Sequence, residues 1–305
     1  MNDSEMDGLA RRYDAYVASD GGGFRRAART LQSVWREKKG YPAGEHNGRT
    51  LGSRLPVDFA KESLANYLTP TIRDVVRAEL GSSSEDGRLF ATPRIYNDLL
   101  SSQPLCFNLF GELAADLDLA TALFRPLRPA AVEHVTVIRF EHSPGRGDPR
   151  FTGDHSAFDV FIEYDHQGGG RGFFGIEVKY HEDLAGKPAT HRPRYDEVAR
   201  MMGCFRPNAW ARLRESPLQQ IWRDHLLAGA TKKELGYKDG VFVFLYPSGN
   251  THCASAVRAY RDTLIDTGTF EAWTLETVVD ALKTSRAPWT GAFHERYLDF
   301  NALER

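Results

Sequence analysis

A chain of 305 residues, with 41% hydrophobic and 11% aromatic residues, is long enough for one large domain or for a core with helical additions. The formal net charge of −2 excludes a uniformly basic protein that binds nucleic acid through its overall charge. The sequence has no apolar run of about 18 residues and no basic-then-apolar amino terminus, so we expect neither a membrane span nor a signal peptide.

The amino-terminal part of the chain predicts mainly helices. Residues 24–39 carry apolar side chains at helical spacing, and residues 58–80 show the same pattern, broken near Pro70. A run of Ser, Glu and Gly at 81–87 predicts a linker. We therefore predict a helical amino-terminal appendage over residues 1–88.

Helices and strands are predicted to follow one another over residues 89–250. The predicted elements are a helical region at 96–123, a strand at 132–140, a β-hairpin at 158–180, helices at 195–205 and 217–230, and a strand at 240–246. Residues 251–305 predict a mostly helical carboxy-terminal extension packed on this core.

The cysteines and the histidines exclude several kinds of site. Cys106, Cys204 and Cys253 are isolated and form no C-x-x-C, which fits a reducing cytoplasm and argues against structural zinc. The ten histidines form no H-E-x-x-H. The sequence also lacks a phosphate-binding G-x-x-x-x-G-K-[ST] and a G-x-S-x-G nucleophile elbow.

The first strand of the predicted hairpin has one apolar face, because side chains alternate along a strand. That face is predicted to contain Phe158, Val160, Ile162 and Tyr164. The second strand repeats the pattern with apolar residues at 174, 176, 178 and 180. The alternate positions contain Asp159, Phe161 and Glu163 in the first strand, and Glu177 and Lys179 in the second.

These alternate positions predict a cation site. If the loop closes symmetrically near Gly168, Asp159 lies opposite Glu177. Facing residues have Cβ atoms about 5 Å apart, where two like charges destabilise a sheet. A divalent cation between them would convert this repulsion into binding, since Mg²⁺ prefers one or two carboxylates plus water. Lys179, on the same face as Glu177, would lie beside whatever the cation holds.

An acid on the second core strand followed by E-x-K on the third resembles the PD-(D/E)XK nuclease superfamily. Here the matching residues are Asp159, Glu177 and Lys179, and the resemblance covers about residues 96–246. It implies an α/β restriction-endonuclease-like core, an α-β-β-β-α-β mixed sheet flanked by helices, with helical additions at both ends. No proline precedes Asp159, and Asp154 is a rival for the first acid, although it lies in a glycine-rich loop.

A narrower similarity is to a bacterial group of restriction-type nucleases in that superfamily. The first core helix begins with S-S-Q, ending at Gln103, and continues to N-L-F, starting at Asn108. The resemblance makes Gln103 and Asn108 candidate nucleic-acid contacts, with satisfaction of local backbone groups as the alternative. Gln220 and Arg223, in the helix after the motif, would face the site, where Gln220 is a candidate catalytic residue and Arg223 a candidate phosphate contact.

The resemblance also implies a cofactor and roles for the matching residues. Mg²⁺, with Mn²⁺ as the alternative, would be held by Asp159, Glu177 and the carbonyl of Val178. Lys179 would orient or deprotonate the water, or stabilise the phosphate. Glu112 could add a carboxylate from the first helix, although a plain exposed helix residue is the alternative reading.

Residues 187–214 form a locally basic stretch. They include seven basic residues, opposed only by Asp196 and Glu197. Arg192 and Arg194 are candidate nucleic-acid contacts within it. The alternative is an ordinary solvated helical face.

The leading hypothesis is a cytoplasmic Mg²⁺-dependent DNA endonuclease of restriction type that acts in defence against foreign DNA. The basic helices and the amino-terminal appendage would recognise the DNA. A homodimer would supply two active sites for the two strands, and a cognate methyltransferase would be its partner. The alternatives are a catalytically inactive DNA-binding or assembly module with the same fold, and a nuclease with repair, recombination or toxin duties.

Overall fold

The computed structural model describes residues 2–86, 88, 90–285 and 287–304. The chain divides into two compact units. The first contains the residues up to Glu112 together with those from Leu282 onward, and the second contains Leu113–Ala281. The domain boundaries predicted after residues 88 and 250 stay predictions.

Helices account for most of the regular structure. In chain order the α-helices are α1 (Asp3–Arg12), α2 (Gly23–Lys38), α3 (Val57–Ser63), α4 (Pro70–Asp86), α5 (Arg94–Asn97), α6 (Ser102–Ala115), α7 (Leu117–Leu127), α8 (Pro193–Met202), α9 (Trp210–Leu213), α10 (Leu218–Glu234), α11 (Thr251–Arg261), α12 (Leu275–Thr284) and α13 (Thr290–Tyr297). Short 3₁₀ helices lie at Ala18–Asp20, Pro207–Ala209 and Phe300–Leu303. Within the described ranges, none of these helices is both long and apolar enough to cross a membrane.

The strands form two sheets. They are β1 (Gly44–His46), β2 (Arg49–Leu51), β3 (Val132–His142), β4 (Phe158–His166), β5 (Arg171–Val178), β6 (Asp239–Tyr246) and β7 (Phe270–Thr274). The first two strands pair with each other, and the other five form a sheet in the order β3-β4-β5-β6-β7. The β3–β4 and β4–β5 pairs are antiparallel, whereas β5–β6 and β6–β7 are parallel.

This five-stranded mixed sheet confirms the predicted α-β-β-β-α-β core. Helix α7 precedes β3, and the parallel connection from β5 to β6 passes through α8, α9 and α10. Strand β7 extends the sheet within residues 251–305, which the sequence predicts to be mostly helical. Its five residues are too few to establish an alternating pattern beside the amphipathic helices around it.

In the first unit, α2 lies against α1 and α13. The buried Arg296 of α13 makes that packing specific: its Nε donates to Gln32 Oε1 at 3.0 Å and its Nη1 donates to Asn66 O at 2.6 Å. Its guanidinium also lies 4.2 Å from the centroid of the Trp35 ring. The carboxy-terminal helix therefore completes the interior of the first unit.

Helix α4 corrects one prediction about the appendage. The predicted break near Pro70 is confirmed, because α3 ends at Ser63 and α4 begins at Pro70. The linker predicted at 81–87 is wrong over 81–86, which are helical. Gly87 lies outside the described residues.

Helices cover both faces of the large sheet. On one face, Phe124 of α7 stacks 5.6 Å from Phe174. On the other face, α10 packs on β6, where the ring of His225 lies 5.9 Å from Phe242. The face that carries the acids is therefore buried at its centre rather than solvated along its length.

The prediction that Phe158 shares a face with Val160 is wrong. Its ring lies 6.1 Å from Phe161 and 6.3 Å from Phe173, which lie on the opposite face. Gly175 makes this possible, because a Cβ there would lie 2.5 Å from the Phe158 ring. The ring of Phe158, the first residue of β4, therefore occupies the space that a side chain at position 175 would fill.

Candidate active site

The β4–β5 hairpin brings the two predicted acids close together. Val160 pairs with Ile176, and Asp159 and Glu177 are the next residues beyond that pair on their strands. The side chain of Asp159 is held there, because the backbone N–H of Val178 donates to its Oδ2 at 2.7 Å. The predicted symmetrical closure of the hairpin around Gly168 is thereby confirmed.

Glu177 is the centre of the polar contacts at this position. Its Oε1 accepts hydrogen bonds from Lys179 Nζ at 2.6 Å and from Gln220 Nε2 at 2.7 Å. Glu177 is only 6% exposed and Lys179 only 8%. Asp159 also lies near Glu177, so the structure brings four predicted residues together: Asp159, Glu177, Lys179 and Gln220.

Burial and charge shift the pKa values of these groups. Burial raises the pKa of Asp159 well above its usual value, and the nearby Glu177 and Glu141 raise it further. Burial alone would lower the pKa of Lys179, but the surrounding carboxylates, led by Glu177, raise it instead. At neutral pH Lys179 is therefore an ammonium, which donates hydrogen bonds and carries positive charge.

Helix α10 carries a second set of polar groups on one face, because residues three and four positions apart are neighbours on a helix. Gln220 reaches Glu177, as predicted, and Arg223 Nη2 donates to Ser156 Oγ at 2.7 Å. Asp224 is the residue that sequence reasoning missed. It is 4% exposed, makes no side-chain hydrogen bond with the described residues, and has a pKa that burial and Glu177 raise. Its only signal in the sequence is its position one turn after Gln220.

Glu182 also lies close to the site, where its charge acts on Lys179. Its Oε2 accepts from the backbone N–H groups of Tyr180 at 2.8 Å and His181 at 3.0 Å. Burial opposes ionisation, but His181 and Lys179 lower the pKa of Glu182. Lys179 therefore has acidic neighbours on more than one side.

Asp154, the rival first acid, has a structural role. Its oxygens accept hydrogen bonds from Thr152 Oγ1 at 2.7 Å, Ser156 Oγ at 2.9 Å and Tyr195 Oη at 2.7 Å. Burial opposes ionisation, but the hydrogen bonds, led by that from Tyr195, lower the pKa of Asp154 to about 2. With both oxygens already bonded within the protein, Asp154 has less capacity for a cation than Asp159.

The two facing carboxylates suit a hard divalent cation. Asp159 Oδ1 and Glu177 Oε2 accept no hydrogen bond from any residue that the structure describes. Repulsion from Glu177 contributes to the raised pKa of Asp159, and a bound cation would relieve that repulsion. Mg²⁺ binds through one or two carboxylates plus water. Within the described part of the chain there is no cluster of three or more His, Cys, Asp or Glu arranged to hold a metal. Because carboxylate oxygens are hard ligands, the facing pair fits a partly hydrated Mg²⁺ or Mn²⁺ better than zinc.

The two predicted arginines of the basic stretch donate hydrogen bonds to the loop between β3 and β4. Arg192 Nη1 donates to Gly153 O at 2.7 Å, and Arg194 Nε donates to Phe151 O at 2.8 Å. Arg192 is nevertheless exposed. Their roles as nucleic-acid contacts stay predictions, and their observed contacts hold the loop against α8.

Three predicted residues lie in the first unit. Asn108 is fully buried, and its Oδ1 accepts from Leu68 N at 2.9 Å while its Nδ2 donates to Tyr297 Oη at 2.9 Å. Gln103 Oε1 accepts from the backbone N–H of residue 91 at 3.1 Å. Glu112 accepts from the hydroxyl of residue 69. The contacts of Asn108 and Gln103 match the local roles weighed as alternatives. Glu112 is half-buried rather than exposed, and its catalytic role stays a prediction.

Comparison with known proteins adds one finding. A family model described as the PD-(D/E)XK nuclease superfamily matches residues 18–299, a longer stretch than the resemblance at 96–246. No curated protein and no solved structure matches the chain significantly. The match is to the superfamily, and similarity to the narrower bacterial group stays a prediction.

Proposed function

The chain belongs to the PD-(D/E)XK nuclease superfamily, and from this premise we propose that it is a Mg²⁺-dependent endonuclease that hydrolyses phosphodiester bonds of duplex DNA. The observation that carries the proposal is the buried contact of Lys179 and Gln220 with Glu177, next to Asp159. A protein that only bound DNA would have no use for two facing carboxylates near phosphate, because they repel it.

A divalent cation would be held by Asp159, Glu177 and the backbone carbonyl of Val178. Nucleases of this superfamily generally use divalent metals. When bound, such a cation neutralises charge on the phosphate and acidifies water. Mg²⁺ is the proposed ion, and Mn²⁺ is the substitute that the same oxygen ligands accept.

Lys179 stabilises charge in this proposal. Its Nζ lies 2.6 Å from Glu177 Oε1, beside the carboxylates that would hold the cation, where an ammonium can donate to a phosphate oxygen. As phosphodiester cleavage proceeds, negative charge grows on the phosphoryl oxygens, and a fixed ammonium in a buried site stabilises that charge. Lys179 is therefore assigned to the phosphate.

Gln220 and Arg223 support the site from α10. Gln220 donates to Glu177 Oε1, which fixes the carboxylate and leaves Oε2 for a cation. Arg223 is anchored by Ser156 Oγ and lies 3.5 Å from Asp154 Oδ2, so its charge is held on the same helix face. We assign it to a neighbouring phosphate of the substrate.

Metal binding tests this proposal most directly. Mn²⁺ titrated into the wild type by calorimetry should bind, and Glu177→Ala should abolish the heat. Glu133→Ala, which removes an exposed carboxylate of β3, should bind like the wild type. Wild-type protein should also cut duplex DNA in Mg²⁺, and Glu177→Ala should not.

The opposite result favours the inactive-module alternative. If folded wild type binds no Mn²⁺ alone, the titration is repeated with duplex DNA, because substrate phosphate can complete such a site. Absence of metal binding there too, together with no cleavage, would reject the nuclease proposal.

We also propose that the biological role is restriction of foreign DNA in the cytoplasm, by a homodimer paired with a methyltransferase. This role predicts that unmethylated DNA is cut and that DNA carrying the partner's methyl groups is not. Equal cleavage of both would instead favour repair, recombination or toxin duties.

A further inference from the structure

The β1–β2 hairpin of the first unit is a narrow, well-defined ribbon. The strand pairs are Gly44–Leu51, Glu45–Thr50 and His46–Arg49. Asn47 and Gly48, which join the strands, have φ angles of 52° and 72°. Positive φ at both central residues is the two-residue turn that Asn-Gly favours and that matches the twist of the strands. The tip therefore has a fixed conformation although residues 45–50 are all exposed.

The base of this ribbon is anchored in the first unit. The N–H of Gly44 donates to Arg54 O and that of Gly52 donates to Asp14 O, both at 2.7 Å. The buried Arg36 Nε donates to Gly52 O at 3.0 Å. Because both ends of the hairpin are bonded to neighbouring segments, its exposed tip is held in place and suits contact with another molecule.

The side chains near the tip have no partner within the protein. His46, Asn47, Arg49 and Thr50 make no side-chain hydrogen bond or ion pair with the residues that the structure describes. Together with residues 16–18 and Leu51 they line a groove of about 500 Å³. None of these lining residues is acidic, and Arg11 adds a guanidinium 3.6 Å from the ring centroid of Tyr16. The hairpin thus offers hydrogen-bond donors and the positive charge of Arg49 and the nearby Arg11, with Glu45 its one carboxylate, and this balance favours a polyanion.

We propose that the β1–β2 hairpin enters the major groove of duplex DNA and reads base edges with Asn47 and Arg49. The major groove is about 12 Å wide and admits a two-stranded β-ribbon. Asparagine pairs with adenine and arginine with guanine through two hydrogen bonds each. Arg11, beside the hairpin, is placed for a backbone phosphate. This inference rests on the proposed function, since it takes DNA as the substrate, and it assigns sequence reading to residues outside the catalytic set.

Sequence selection from a random duplex pool tests the hairpin. Full-length protein in Ca²⁺, which suppresses cutting, binds the pool and the bound fraction is sequenced. The wild type should select a motif, and Asn47→Ala and Arg49→Ala should each relax one or two base pairs of it. Each should lower the ratio of specific to non-specific affinity about tenfold or more, as expected for the loss of one bidentate base contact.

Further variants separate base reading from general effects. Arg49→Lys keeps the charge but loses the planar fork, so it should relax the motif as Arg49→Ala does. Arg77→Ala removes an exposed arginine of α4 that pairs with Asp74, and it should keep the motif. The three arginine variants should retain the wild-type thermal midpoint, because the altered side chains are exposed. Asn47→Ala places alanine at a positive φ, so Asn47→Gly, which keeps the turn and removes the side chain, should relax the motif equally.

Three outcomes would overturn the inference. An unchanged motif in Asn47→Ala and Arg49→Ala, with DNA binding and cleavage intact, rejects the reading hairpin but keeps the nuclease. A wild type that binds and cuts DNA without any motif does the same. A wild type that neither binds nor cuts duplex DNA rejects both proposals.

Discussion

Two donors converge on one oxygen of Glu177, and this arrangement decides what that carboxylate can still do. Lys179 and Gln220 both bond to Oε1, so Oε2 stays available. We therefore assign Gln220 as a positioning residue, which acts through Glu177.

Gln220→Ala should weaken metal binding and slow cleavage without unfolding the protein. A hydrogen bond to a charged group contributes about 1.5–3 kcal/mol, so its loss should lower Mn²⁺ affinity about tenfold or more. Calorimetry measures the affinity, and Gln220→Glu, which cannot donate, should behave no better than alanine. If Gln220→Ala binds Mn²⁺ like the wild type, the positioning role is excluded.

A buried histidine makes the second unit sensitive to acid. Burial lowers the pKa of His225 from 6.5 to about 3, and its nitrogens pair with the hydroxyls of Tyr260 and Thr269, both at 2.9 Å. As the pH falls, the unfolded chain takes up the proton first. The contribution of His225 is complete above pH 6.5 and is lost as the pH falls toward 3, with a slope of up to about 1.4 kcal/mol per pH unit.

His225→Gln should remove this part of the acid sensitivity. Urea unfolding of the wild type and the variant at about pH 7 and about pH 5 gives the two slopes. The wild type should lose more stability than the variant between these conditions. Equal losses would show that His225 is protonated in the folded protein.

At the scale of elements, the loop between β3 and β4 depends on Asp154. Thr152 and Ser156 bond to Asp154 within that loop, and Tyr195 ties Asp154 to the start of α8. Arg192 and Arg194 add bonds to carbonyls of the loop. Since β4 follows directly, the same loop sets where Asp159 enters the sheet.

Asp154→Asn should destabilise the second unit by about 1–3 kcal/mol, because an amide leaves some of these donors without an acceptor. Asp165→Asn, which changes an exposed aspartate of β4, should alter stability by less than about 0.5 kcal/mol. Urea unfolding measures both. An Asp154 variant as stable as the Asp165 variant would contradict the anchoring role.

Local patterns predicted the elements that carry the site, whereas contacts between distant residues account for what was missed. Alternation and the E-x-K spacing indicated the hairpin, and its symmetrical loop predicted the observed pairing from Val160–Ile176 to Asp165–Arg171. The reversed Phe158 depends on the missing side chain of Gly175 in the neighbouring strand. Asp224 looks like any helical aspartate until the fold brings it near Glu177. The N-G of β1–β2 was a usable signal that the surrounding turn-rich residues obscured.

At the scale of the whole molecule, the first unit is built from two distant parts of the chain, joined through Arg296. Arg296→Ala should destabilise that unit by about 2–4 kcal/mol, because the buried hydrogen bonds from its guanidinium to Gln32 and Asn66 are lost. Hydrogen exchange should show lost protection in the first unit and retained protection in β4–β6. Arg261→Ala, an exposed arginine of α11, is the control. Uniform loss across both units would mean that they unfold together.

The discontinuous first unit also has a consequence for synthesis on the ribosome. Helix α2 is made early, but its partner Arg296 follows only after the entire five-stranded sheet has been translated. Since domains generally fold as the chain emerges, the sheet can acquire its structure while the amino-terminal helices still wait for α13. The nascent chain would thus form the β4–β5 hairpin with its carboxylates before the first unit is complete.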